Sequence, residues 1–199
     1  LNQVLNIKLL DGVVVNSNDD LMLEIAKKAG CEVVKRDEYF ASNSVSMSEV
    51  YKNMAENFSG DIVVYANVTN PLLKDYTIEK AIDTYMISSE DYDSLNSAHL
   101  IKEFMFKDGK PINYNLGKQP RSQDLPDIYA LNFALNIIER QKMIECMNVV
   151  GRSPLIWGID EIEATDIDNP IDFEFAEYVY MNHDEYKGQQ RKRRVNEND

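Results

Sequence analysis

Residues 12–36 read "GVVVNSNDDLMLEIAKKAGCEVVKR", and this stretch decides the fold. "GVVVN" is a short β-branched run bounded by polar residues, which predicts a buried strand. The polar "SNDD" then offers a helix cap, and Leu21, Met22, Ile25 and Ala26 predict an apolar helix face that Gly30 terminates. "CEVVKR" is a second strand. Strand, helix and strand within 25 residues specify a parallel crossover unit.

The pattern continues outward. Residues 45–58 predict a helix with Met47, Val50, Met54 and Phe58 on one side. "DIVVYAN" (61–67) is a third strand, and 76–89 a further helix. "LNQVLNIKLL" at 1–10 reads as a short amphipathic helix or its remnant. The result is an α/β fold whose sheet is covered on both faces. Ligands of such sheets bind outside the carboxyl ends of the strands, which places the loops "NSNDD", "KRDEYFASNS" and "NVTNPLLKD" on the ligand side. The second half is antiparallel over 93–115, with Asp108-Gly109 as a hairpin turn. A strand at 128–138, a short helix, the strand "LIWGI" and a helix at 170–182 follow.

Bulk properties remove several function classes. A net charge of −13 opposes general nucleic-acid binding. Cys31 and Cys146 lack metal spacing, and two cysteines make no disulfide framework, so a reducing, cytoplasmic setting is expected. No run reaches transmembrane length and no signal peptide is visible, so no membrane partner is expected. The basic "RKRR" at 191–194 is diluted by acidic neighbours and reads as part of a solvated tail over 184–199. There is no GxxxxGK[ST], no GxGxxG and no serine–histidine–aspartate arrangement.

Three clusters carry chemistry. In "EATDIDNPIDFEFAE" (163–177), Asp166 and Asp168 alternate before Pro170. On an extended segment they share a face, about 6–7 Å apart along the backbone. One reading makes them helix caps. The other makes them ligands of Mg²⁺, which takes one or two carboxylates and completes its shell with phosphate oxygens. "PRSQDLP" fixes Arg121 and Gln123 in a proline-bracketed loop, where the guanidinium is either solvated or grips an anion. "NVTNP" puts Asn67 at a strand's end, in a turn or in a site.

The order of these blocks resembles the cytidylyltransferases that make CMP-activated acidic sugars, such as the CMP-N-acetylneuraminate synthetases. "NSNDD" resembles that family's "STDD" turn, "VTNPLL" its "PTSPLR", "QPRSQDLPDIYALNFALNI" its "PR-Q-LP…Y..NGAIYI", and "DIDNPIDFEFAE" its "DIDT..D...AE". The matches run from about residue 12 to 180. The resemblance implies a Rossmann-like, three-layer, mostly parallel sheet over 1–183, with a small antiparallel dimerisation element at 99–120. It implies CTP as co-substrate, Mg²⁺, a homodimer, and transfer to an acidic sugar or a phosphorylated precursor with release of pyrophosphate. Asp166, Asp168 and Arg121 match catalytic positions, with the two aspartates as metal ligands. Ser17, Asn18, Arg36 and Ser46 match the nucleotide side, and Asn67, Arg121, Gln123 and Asn132 the acceptor side. Departures are Asn18 for aspartate, Asn67 for glutamine, Leu73 for arginine, Phe133 for glycine, and "MNVVG" (147–151) for paired aromatics. The family's first strand and its basic triphosphate loop have no counterpart in this sequence. The alternative expectation is therefore a non-catalytic nucleotide-binding or assembly protein of the same fold.

Overall fold

The computed structural model describes residues 1–184 and Tyr186; the tail expected over 184–199 lies almost wholly outside the described residues. The decisive stretch folds as expected. β1 (Val14–Ser17) pairs in parallel with β2 (Glu32–Lys35), and α2 (Asp20–Lys28) crosses between them, following the short α1 (Asn2–Leu5). Asp19 caps α2 by accepting the Met22 N–H, and Gly30 closes it at φ +91°. The helix face differs from expectation. Leu23 and Ala26 are the buried pair, while Leu21, Met22 and Ile25 stay exposed. A two-stranded ribbon offers room for one narrow stripe only.

The main sheet runs β3 (Ile62–Ala66), β7 (Ile128–Glu139), β4 (Ser94–Ile101), β8 (Pro154–Gly158). β3, β4 and β8 point one way, and β7 is inserted antiparallel to β3 and β4. α4 (Asp75–Ser88) covers one face through Ile78, Ala81 and Tyr85, which pack on Leu95, Leu135, Ile137 and the buried Ile7. α3 (Met47–Glu56) and α5 (Arg140–Cys146) cover the other through Tyr51, Ala55 and Met143 against Ile138 and Val149. Ser46 and Glu49 form a capping box on α3, whose buried residues are Val50, Tyr51 and Ala55; Met47 is exposed. The hairpin of β5 (Phe106–Lys107) and β6 (Lys110–Pro111) turns where expected, with Asp108 and Gly109 both at positive φ.

β7 is not the continuous strand its alternation suggests. Asn96 pairs with Asn136 but Ala98 pairs with Leu131, so residues 132–134 bulge out of the ladder, with Phe133 at φ +54°. A bulky residue in that region is strained. A buried network holds the bulge: Asn96 donates to Asn136 Oδ1 (2.8 Å) and the Val149 carbonyl (2.9 Å), and Asn136 donates to the Phe133 carbonyl (3.1 Å).

The two sheets do not join. Glu32 and Arg36 donate to the carbonyls of Val13 and Ser17, so the backbone groups of Val14 and Asn16 face away from β2. Asn67 and Arg140 likewise donate to the carbonyls of Ala134 and Asp61, which turns Ile62, Val64 and Ala66 outward. No strand of the described residues pairs with either edge. No described helix is long and apolar enough to cross a membrane.

Candidate active site

The segment carrying the two aspartates is bolted to the loop after β3. Ile167 donates its N–H to the Thr69 carbonyl at 2.9 Å. The buried Asn70 donates to the carbonyls of Ala164 (3.2 Å) and Thr165 (3.0 Å). Buried Glu163 accepts the Lys74 N–H at 3.0 Å and lies 3.5 Å from its ammonium. Ile167 packs against the cluster of Leu72, Ala176 and Val179, while Asp166 and Asp168 line a cavity on the opposite side. Successive side chains of this loop thus separate anchor from carboxylates.

Helix capping is done by other residues. α6 (Pro170–Asn182) starts with a capping box in which Asn169 accepts the Ile171 N–H. Asp172 Oδ2 accepts the N–H groups of Asp168 and Asn169, both at 3.0 Å. The carboxylates of Asp166 and Asp168 take no part. Asp166 Oδ1 is buried and has no hydrogen-bond partner. A buried carboxylate oxygen without a donor is costly, and a cation is the chemistry that satisfies it. The pair therefore fits Mg²⁺, with phosphate oxygens or water for the rest of the shell. Among the described residues no third His, Cys, Asp or Glu completes a protein-only metal cluster.

The cavity, about 680 Å³, is also lined by Met47, Ser48 and Tyr51 of α3, Tyr65 and Asn67 at the end of β3, the bulge residues Asn132 and Phe133, and Asn148. It lies at the carboxyl end of β3, where the fold places ligands. Of the expected site residues it collects Asp166, Asp168, Asn67 and Asn132. Arg36 is close by: it donates to Asn16 Oδ1 (2.6 Å) and to the Asn16 carbonyl (3.0 Å) on the open edge of β1, and its charge acts on Tyr65. Ser46 caps α3 immediately before the lining residues Met47 and Ser48. Ser17 Oγ accepts the Asp19 N–H, and Asn18 donates to Glu38, so both serve the β1–α2 turn.

Arg121 and Gln123 do not line the cavity. The 3₁₀ turn Ser122–Asp124 brings Asp124 over Arg121, and the guanidinium forks onto it at 2.8 and 3.2 Å on an exposed surface. The guanidinium is thus held by an intraloop ion pair.

Tyr51 and Tyr65 stand in no motif, and Phe133 and Asn148 entered only within departures from one. The two tyrosine rings meet edge to face, centroids 5.8 Å apart. Burial, with Tyr65 beside it, pushes the Tyr51 phenol up to about 12. Burial also raises Tyr65; Arg36 opposes that shift and Asp166 adds to it. A phenol whose proton is held more tightly in the folded state stabilises the fold below its unfolded pKa, and that contribution is lost as pH rises through the folded value. Stability should therefore fall between about pH 10 and 12, and Tyr51→Phe should flatten that limb in a pH series of melts. An unchanged limb would place Tyr51 in water.

The α/β sheet presents a carboxylate pair at its carboxyl edge, where the ligands of such sheets bind. A family profile described as cytidylyltransferase matches residues 1–191, and the chain belongs to that family. It is 25% identical over 189 residues to the post-translational flagellin modification protein B of Campylobacter coli, covering 89% of this chain and 80% of the relative. Among solved structures, 4-diphosphocytidyl-2C-methyl-D-erythritol synthase of Anaerococcus prevotii superposes with a TM-score of 0.67 at 10% identity, covering 91% of this chain and 83% of that one. A CMP:2-keto-3-deoxy-manno-octonic acid synthetase complexed with CTP superposes at 0.59 and 9% identity, covering 90% and 85%.

Proposed function

We propose that the chain uses CTP and Mg²⁺ to activate an acidic sugar or a related phosphorylated precursor. An oxygen of the acceptor attacks the α-phosphorus of CTP, the bond to the β-phosphate breaks, and pyrophosphate leaves. The observation that carries this is the Asp166–Asp168 pair, with its unpartnered buried oxygen, on the ligand side of a cytidylyltransferase sheet. Mg²⁺ held there supplies charge neutralisation for the phosphate oxygens. The chain's own side chains then position the acceptor. Among the described residues no arginine or lysine lines the cavity, so the acceptor's anionic group belongs at the aspartate end, beside the cation's charge. The solved synthetase that shares this fold is named for an octonic acid, which supports a sugar acid as the acceptor class.

We further propose a homodimer through residues 99–120, where Phe106, Ile112 and Leu116 are exposed. The decisive experiment is a coupled pyrophosphate assay with CTP, Mg²⁺ and a panel of acidic sugars and phosphorylated small molecules. Release is expected only with CTP, Mg²⁺ and a matching acceptor together. CTP binding without release for every acceptor would instead favour a non-catalytic binding protein.

A further inference from the structure

Phe133 stands where its backbone suits a different residue. Its φ of +54° lies in the left-handed region that bulky side chains avoid and glycine occupies freely. The other described non-glycine residues at positive φ have local reasons: Asp108 turns a hairpin and Met147 ends a helix. The bulge of β7 accounts for the Phe133 dihedral, and a polar network enforces it. Asn136 donates to the Phe133 carbonyl at 3.1 Å, Asn132 Oδ1 accepts the Ala134 N–H at 3.2 Å, and the Asn67 N–H donates to the Ala134 carbonyl at 3.1 Å. None of these bonds involves the Phe133 side chain, and a glycine would satisfy them all with less strain. The ring packs on the buried cluster of Tyr51, Ile138, Met143 and Val149, and with Tyr51 and Tyr65 it lines the cavity as one aromatic wall. Strain kept beside a cavity points to a function for the side chain.

We propose that Phe133 is a specificity-determining residue that limits the size of the acceptor. Its ring takes up cavity space that a glycine would leave to the ligand, and so excludes acceptors with a bulky polar substituent at that point. This deepens the cytidylyl-transfer reading and rests on it. A clash built against a larger candidate discriminates as well as a contact built for a smaller one. The ring also offers a displaced polar group no hydrogen bond in exchange for water.

The test separates the ring from the strain. Phe133→Gly removes both, while Phe133→Ala removes the ring and keeps the unfavourable dihedral. Binding of 2-keto-3-deoxy-manno-octonic acid and of the bulkier, acetamido-bearing N-acetylneuraminate is measured by calorimetry on the full chain with Mg²⁺, with CTP titrated separately. Both variants should shift the ratio of the two affinities toward N-acetylneuraminate by about tenfold or more. A residue that merely supports the fold would move both acids by one factor, and an unchanged ratio overturns the proposal. So does a shift in one variant while the other, folded, shows none, since that traces the effect to the backbone. Should one variant fail to fold, the other decides. Binding of neither acid, by the unsubstituted chain or the variants, while CTP binds also overturns it. Failure of CTP itself to bind the unsubstituted chain would strike the cytidylyl-transfer reading first, and the size limit with it.

Discussion

Asp166→Asn should sharply slow cytidylyl transfer while leaving the protein as stable as before or slightly more so. Metal-borne neutralisation of phosphate charge is worth several kcal/mol, so losing one carboxylate ligand should lower turnover about 100- to 1000-fold. The stability outcome has a different origin. Asp166 Oδ1 is buried without a donor, an arrangement unfavourable to the folded state in the absence of a cation. Removing the charge relieves that cost, so the melting temperature in metal-free buffer should hold or rise. A third readout is spectroscopic. The Asp166 carboxylate is one of the groups raising the Tyr65 phenol, so its removal should bring that ionisation to lower pH. Full turnover in the variant would reject the metal assignment. A fall in stability together with lost activity would reduce Asp166 to a structural residue.

Asn96→Leu should cost about 3 kcal/mol or more, a large share of the roughly 5–15 kcal/mol that holds a domain together. Asn96 is fully buried, and its Nδ2 serves both Asn136 Oδ1 and the Val149 carbonyl. Leucine fits the volume but leaves two acceptors without donors in a dry interior, at about 1–3 kcal/mol each. The damage reaches the site, since Asn136 holds the Phe133 carbonyl and with it the bulge that carries Asn132. Urea denaturation measures the cost; a loss below about 1 kcal/mol would mean that water replaces the missing donor.

The comparison of sequence with structure divides along physical lines. β1, α2, β2 and β3 were legible because β-branched runs and helix caps act locally, and the hairpin at Asp108-Gly109 was legible because only certain residues tolerate its dihedrals. That Asp166 and Asp168 share one side was legible because alternation along an extended segment turns Ile167 to the other. The aromatic wall was not. Tyr51 and Tyr65 sit at ordinary core positions of a helix and a strand, and periodicity cannot tell a core side chain from one at a cavity rim. The bulge was hidden for the opposite reason: "IYALNFALNII" alternates well enough to read as an unbroken strand. The single hint was Phe133 where the resembling family carries glycine, a substitution that now coincides with a positive φ. Arg121 shows a motif residue whose surroundings the sequence left open: Asp124, three residues on, pairs with its guanidinium on an exposed surface.

The unjoined sheets divide the molecule's cooperativity. β1, α2 and β2 pack chiefly on one another, and no backbone ladder ties them to the four-stranded sheet. They form a natural unit of sub-global opening, released by breaking side-chain contacts alone. Arg36, at the end of that unit, and Asp166, on the other, both act on Tyr65. A ligand touching both sides would therefore lend part of its binding energy to holding the two units together, and local protection around β1 would report occupancy of the site.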